Sequence, residues 1–120
     1  MEINSKLFPN FDLPQFRERF RNIGSNHRQE AIDACNNRTL PIGLFKTLAK
    51  EGLFSIITNQ EFGQSTGALL LADALENLAY GFLDGGIAIS LISHVGLCIS
   101  TIDRYASQFV KEKYLKDLVS

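Results

Sequence analysis

Residues 85–102 read GGIAISLISHVGLCISTI and contain no Asp, Glu, Lys or Arg, in a chain whose residues are 21% charged. A run of that length without charge needs shelter from water. It reaches the lower limit for a membrane span, but three glycines, several serines and a histidine dilute its apolarity, so a buried helix is the preferred reading. At the helical period Gly86, Ser90, Ser93 and Ser100 fall near one side with Gly96 beside them, while Ile87, Leu91, Val95, Cys98 and Ile102 make a bulkier side. The bulky side is expected to pack at core density. The small side admits two uses, close approach of a second helix or room for a ligand, and the residues alone favour close packing.

The rest of the composition describes ordinary surroundings for such a helix. At 120 residues, 45% of them hydrophobic, the chain fits one domain with a real core. A formal charge of −1 and a pI near 6.1 give no electrostatic footprint for nucleic acid. Met1 is followed by Glu2 with no basic lead into an apolar run, so the expected setting is cytoplasmic. Cys35 and Cys98 are then expected to be separate buried thiols, and with only His27 and His94 beside them no zinc spacing is present.

Working outward, residues 1–14 carry Pro9 and Pro14 and read as an extended lead-in. From Gln15 the positions Phe16, Phe20, Ile23, Ala31 and Ala34 predict a long amphipathic helix, interrupted or kinked at Gly24, Ser25 and Asn26. His27 follows as an edge residue with a hydrogen-bond partner. Asn36 to Arg38 end this helix, and Pro41 suits the first turn of the next, whose stripe is Leu44, Phe45, Leu48 and Ala49 and whose stop is Gly52. Residues 53–58, LFSIIT, read as extended, and 59–67 as a loop without the lysine or spacing of a phosphate-binding P-loop.

Residues 68–80 form the clearest helix, with Leu71, Leu75, Leu78 and Ala79 inward, Asp73, Glu76 and Asn77 toward water, and Gly81 as its end. Asp84 stands where it caps the charge-free helix, a structural role preferred to catalysis. That helix is expected to bend near 96–100 into a short one ending near Tyr105. Ser107 caps a last helix with Val110, Tyr114 and Leu118 inward and a Glu112–Lys116 pair outside. The sum is an all-α bundle of five or six helices whose central member is sheathed by amphipathic neighbours.

Three stretches in order resemble the N-terminal helical domain of the acyl-CoA dehydrogenases. Leu40 to Ile56, LPIGLFKTLAKEGLFSI, resembles that family's proline, mid-helix aromatic and Gly-Leu run into a buried segment. Gln60-Glu61-Phe62-Gly63 followed by LLLADALENLAYG is similar to its Glu-Glu-Tyr-Gly-Gly loop and the helix ending Glu-Glu-Leu-Ala. The third runs from Asp84 through His94, Ile102, Arg104 and Tyr105 to Lys111-Glu112-Lys113-Tyr114-Leu115 and Leu118. The likeness covers roughly residues 38–120, and before that only one amphipathic helix stands in the expected place. Gln64 replaces the second loop glycine, Ser65-Thr66-Gly67 the usual apolar–Gly continuation, and Val110 a frequent Gln.

The resemblance implies an orthogonal helical bundle that walls the acyl-chain site of an FAD-dependent oxidoreductase acting on a coenzyme A or carrier-protein thioester. In such an enzyme a carboxylate takes the α-proton and a hydride passes to the flavin. It implies residues 1–120 as a single helical domain, with the family's β-domain and C-terminal helices absent, no catalytic residue within the chain, and a homo-oligomer when complete. Aligned on the third stretch, Ile89, Ser90 and Ser93 fall where family members line the far end of the acyl site. That raises the ligand-facing use of the small side to parity with packing. For His94 a packed, hydrogen-bonded role is expected. The alternative is a standalone bundle that uses its small face for an acyl chain or a second helix, without catalysis and without a membrane span.

Overall fold

The computed structural model describes residues 11–58 and 63–120, with the backbone only at 63–65, and contains six helices and no strand among them. They are α1 (Leu13–Asn26), α2 (Arg28–Asn37), α3 (Ile42–Lys50), α4 (Gly63–Phe82), α5 (Gly85–Tyr105) and α6 (residues 108–119). The all-helical bundle expected from the sequence is the observed architecture. Residues 1–10 of the expected lead-in and residues 59–62 of the expected loop lie outside the described residues.

Helix α1 starts two residues before Gln15, because Asp12 Oδ1 accepts from the Gln15 N–H at 2.9 Å and Pro14 is already inside the first turn. Phe16 and Phe20 are buried and meet edge to face at 4.8 Å. The break comes at His27, which separates α1 from α2 and whose Nδ1–H donates to Glu30 at 2.7 Å, the edge role expected of it. Glu30 in turn accepts from the N–H of Gly43 at 2.6 Å and of Leu44 at 3.3 Å. A carboxylate from α2 thus caps α3, while Pro41 takes the N-cap position instead of the first turn. Burial pushes the Glu30 carboxyl up, but the His27 hydrogen bond and these two backbone donors outweigh it and hold the pKa below the ordinary value.

Residues 51–58 do not run extended. They form consecutive turns, closed by Leu53 N–H to Leu48 O at 3.0 Å, Ile56 N–H to Leu53 O at 3.3 Å and Thr58 N–H to Ser55 O at 3.1 Å. The apolar run has no neighbouring strand to pair with, so its buried backbone groups pair locally. Leu53, Phe54, Ile56 and Ile57 still fill the core. Gly52 at φ +78° supplies the left-handed step expected there.

The pairing of α1 with α4 overturns a second expectation. Asp73 and Asn77 do not face water: they are 5% and 4% exposed, and α1 lies over them. Arg17 donates to both Asp73 oxygens, with Nη2 to Oδ2 at 2.6 Å, and Arg21 Nη2 donates to Asn77 Oδ1 at 3.0 Å. These polar groups sit in a buried interface because each has a partner from the facing helix. Gly81 does not end α4, which continues to Phe82 and stops at Leu83 with φ +58°. At its other end α4 begins at Gly63, ahead of the expected Ala68.

Helix α5 closes the core from one side only. Ile87, Leu91, Val95 and Ile99 are buried at steps of four residues, and the opposite side is open. In a regular helix each such step overshoots one turn by about 40°, so three would swing the row about 120° around the axis. Residues Ser93–Ile99 are π-helical, wind more slowly and hold the row on one face. The same local unwinding puts Ile99 inside in place of the expected Cys98, and replaces the expected bend with a continuous helix to Tyr105. Cys35 and Cys98 are free thiols but exposed, not buried. Residues Lys111–Leu115 of α6 are also π-helical. Leu115, Leu118 and Val119 reach the core there, Tyr114 stays 47% exposed, and Glu112 accepts from Gln108 Nε2 at 2.9 Å in place of a pair with Lys116.

Candidate functional site

The site follows from α5 having two unlike apolar faces. Asp84 Oδ1 accepts from the Ile87 N–H at 2.9 Å and so fixes where the helix starts, the capping role expected for it. With Ile87 and Leu91 pointed at the core, Ile89, Ile92 and Ser93 fall on the far side as one stripe, and Gly96 comes next to Ile92, whose Cγ2 stands 3.9 Å from a Cβ built on it. Ile89 is 67% exposed, Ile92 is exposed, and Ser93 and Gly96 are half-buried. Leu97, 63% exposed, continues the surface toward the end of the helix.

The expected sheath around this helix is therefore missing on one side. Only 22% of its most apolar 18-residue stretch is buried, and by length and composition alone α5 could cross a membrane.

Of the three residues singled out in sequence, Ile89 and Ser93 share the stripe and Ser90 lies on its flank. Ser90 Oγ donates back to Gly86 O at 2.9 Å, so its hydroxyl is occupied by its own helix. Ile92, which is not a small residue, shares this face as well, and its spacing from Ile89 is readable in the sequence. No member of the stripe ionises, so the face offers shape and apolar contact and no acid or base.

Behind the stripe the wall is firm. His94 Nε2 lies 2.9 Å from the Leu118 carbonyl, which can only accept, so that nitrogen carries the hydrogen. Its ring stands edge-on to Phe54 at 4.7 Å. This packed, hydrogen-bonded histidine is the one expected, and it ties α5 to α6 and to the turn segment directly behind Ser93. On the other side of Phe54 a groove of about 470 Å³ runs between α3 and the end of α6, lined by Ile42, Phe45, Lys46, Ala49, Lys50, Phe54 and Ser120. Among the described residues no group of three His, Cys, Asp or Glu is placed to hold a metal.

Fold and site together define an all-helical domain that presents one face of an uncharged helix as an apolar wall. The chain belongs to the acyl-CoA dehydrogenase family: the family model described as "Acyl-CoA dehydrogenase, N-terminal domain" matches residues 12–120. An L-prolyl-[peptidyl-carrier protein] dehydrogenase of a Serratia species is 33% identical over 93 residues, which are 77% of this chain and 24% of that protein. The mitochondrial isovaleryl-CoA dehydrogenase of Arabidopsis thaliana is 30% identical over 121 residues, 98% of this chain and 29% of that protein. Its counterpart in Solanum tuberosum is 29% identical over 92 residues, 76% and 22% of the two chains. The matched stretches thus span 22% to 29% of the length of these curated relatives. No solved structure matches it significantly.

Proposed function

We propose that this chain is the acyl-pocket domain of a flavin-dependent dehydrogenase that introduces an α,β-double bond into an acyl thioester carried by coenzyme A or a carrier protein. The observation that carries the reading is the two-faced α5: one row holds the core, and Ile89, Ile92, Ser93 and Gly96 leave an uncharged wall outside it. Such a wall suits a fatty chain, for which each methylene taken out of water is worth about 0.8 kcal/mol. The relatives named for prolyl-carrier and isovaleryl-CoA substrates support a thioester substrate and leave both carriers open.

FAD, when bound, supplies the hydride acceptor. The proposal assigns most flavin contacts and the catalytic carboxylate to regions outside this chain, and gives these residues the positioning of the acyl chain. Closure of the exposed stripe by those regions replaces a membrane as its cover. A cytoplasmic setting and a homo-oligomer are part of the same proposal, the association being supported by the further exposed apolar residues Tyr105, Phe109 and Tyr114.

The test is made on the complete polypeptide that carries residues 12–120. Saturated acyl thioesters are expected to bleach its flavin and to lose two hydrogens, read by absorbance and mass spectrometry. A purified, folded polypeptide that holds no flavin and leaves both coenzyme A and carrier-bound thioesters unchanged ends the proposal.

A further inference from the structure

The outer wall of α5 takes its layout from the π-helical segment Ser93–Ile99. The π-form is rare beside the α-form, so a segment that adopts it needs contacts that hold it there. Two kinds are present. Val95 and Ile99 are fully buried, but apolar contact has no direction and accepts some rotation of the helix. The other kind is directional. His94, the second residue of the segment, donates from Nε2 to the Leu118 carbonyl at 2.9 Å, and its ring stands edge-on to Phe54 at 4.7 Å. A hydrogen bond weakens steeply as its angle closes, so this one fixes the rotation of α5 about its axis at residue 94. The acceptor is itself firmly placed: Leu118 lies in the last turn of α6, where carbonyls have no partner in their own helix, and its side chain packs against the core.

What that rotation controls is the wall. Ser93 is the neighbour of His94, and Leu97, 63% exposed, follows four residues after Ser93. The buried row repeats every four residues through the segment, so Ser93 and Leu97 stand in register along the outside as well. A return to 3.6 residues per turn would swing Leu97 by about 40° relative to Ser93, an arc of about 4 Å at the radius of a helix with its side chains. That is well beyond the roughly 1 Å misplacement that already impairs a site. His94 faces Phe54 and Leu118 behind the wall, so it acts on a bound acyl chain only through the residues beside it. We infer, on the acyl-thioester reading above, that His94 is a positioning residue for acyl-chain selectivity: its bond to Leu118 holds the π-winding of α5, and with it the alignment of Ser93 and Leu97 along the terminal methylenes of the substrate.

The experiment separates the N–H donor from the ring, in the complete enzyme with activity referred to bound flavin. His94→Phe keeps a flat ring against Phe54 and removes the donor, whereas His94→Gln places an amide N–H near the Nε2 position and removes the ring. Each variant is measured on straight-chain saturated acyl thioesters, the shortest and the longest that the parent oxidises. The shortest ends before the wall and the longest reaches it. His94→Phe is expected to lower kcat/KM on the longest by about tenfold or more, the worth of two methylenes at roughly fourfold each, and to stay within about twofold of the parent on the shortest. His94→Gln is expected to keep the parent's ratio of the two within about threefold. The inference is overturned if His94→Phe keeps the parent's ratio, if it loses activity on both thioesters alike, as a damaged fold would, or if His94→Gln shifts the ratio as far as His94→Phe, which assigns the effect to the ring. His94→Leu, smaller and equally without a donor, repeats the measurement where Phe is not accommodated, and failure of both to fold makes the histidine a residue of the fold alone and overturns the selective role. A parent that oxidises no acyl thioester of any length overturns the underlying functional reading instead.

Discussion

Gly24 of α1 and Gly81 of α4 touch across the crossing of their helices, with no room between them for a side chain. A Cβ built on Gly24 stands 2.5 Å from Leu78 O and 3.0 Å from the Gly81 Cα, and one on Gly81 stands 2.6 Å from both Arg21 O and Ser25 N. The opposing atoms are backbone and cannot swing aside. Although Ala is the better helix former, Gly81→Ala is expected to destabilise the fold by about 1–3 kcal/mol through overpacking. Gly85→Ala, where nothing lies within 4 Å of the added carbon, is expected to be neutral or to stabilise by about 0.4–1 kcal/mol. Urea denaturation of the two variants checks the contrast, and equal midpoints would refute the close crossing.

That crossing marks where sequence reading succeeds and where it stops. Features set by a residue's own backbone neighbourhood were legible: the cap at Asp84 and the left-handed Gly52, with a break in the first long run that falls at His27 and not at residues 24–26. Features set by a facing element were not. Asp73 and Asn77 read as wet because nothing local reveals Arg17 and Arg21 arriving from 56 residues away. Gly24 and Gly81 read as a breaker and a stop because propensity describes one helix, not two in contact. Likewise the row Ile87, Leu91, Val95, Ile99 was blurred by the assumption of 3.6 residues per turn, which the π-helical segment breaks. Of the residues that sequence singled out, Ile89 and Ser93 lie on the outer stripe of α5 and Ser90 on its flank, while the expected sheath around that helix is not supplied by the helices described.

Glu30 makes the start of α3 sensitive to acid. Its folded pKa lies below the unfolded value, so its contribution is fully present above the ordinary carboxylate range, about pH 4.3, and is lost as pH falls through the folded pKa. Glu30→Gln is expected to lower stability at pH 7 by about 1 kcal/mol, in the range of a lost helix cap, and to flatten the decline in acid. Denaturation midpoints of parent and variant measured from pH 7 down to pH 3 are expected to converge. Parallel curves would show that the cap works without its charge.

The outer face of α5 predicts how residues 1–120 behave on their own. Exposed Ile89, Ile92 and Leu97 are expected to bind a hydrophobic dye and to promote self-association at micromolar concentration. Ile89→Lys combined with Leu97→Lys is expected to reduce both, while folding stability moves by no more than about 0.5 kcal/mol per site, as at ordinary surface positions. Light scattering and dye fluorescence check this. A stability loss of core size in the double variant would mean that the face is packed inside the bundle after all.

Ser93 and Ser90 separate the two uses of the small side of α5. Ser93 lies half-buried on the stripe between Ile89 and Gly96, whereas Ser90 lies on the flank and returns its hydroxyl to Gly86 O. If the stripe borders an acyl chain, Ser93→Leu fills space that terminal methylenes would occupy. Each excluded methylene forfeits about 0.8 kcal/mol, or roughly fourfold in kcat/KM. The complete enzyme carrying Ser93→Leu is expected to shift its preference toward shorter acyl chains by that factor per carbon, and Ser90→Leu to shift it much less. Chain-length profiles of kcat/KM for both folded variants decide it. A Ser93→Leu profile that overlays the parent's assigns the stripe to contact with protein instead of substrate, and the two-faced helix then serves only to join this domain to the next.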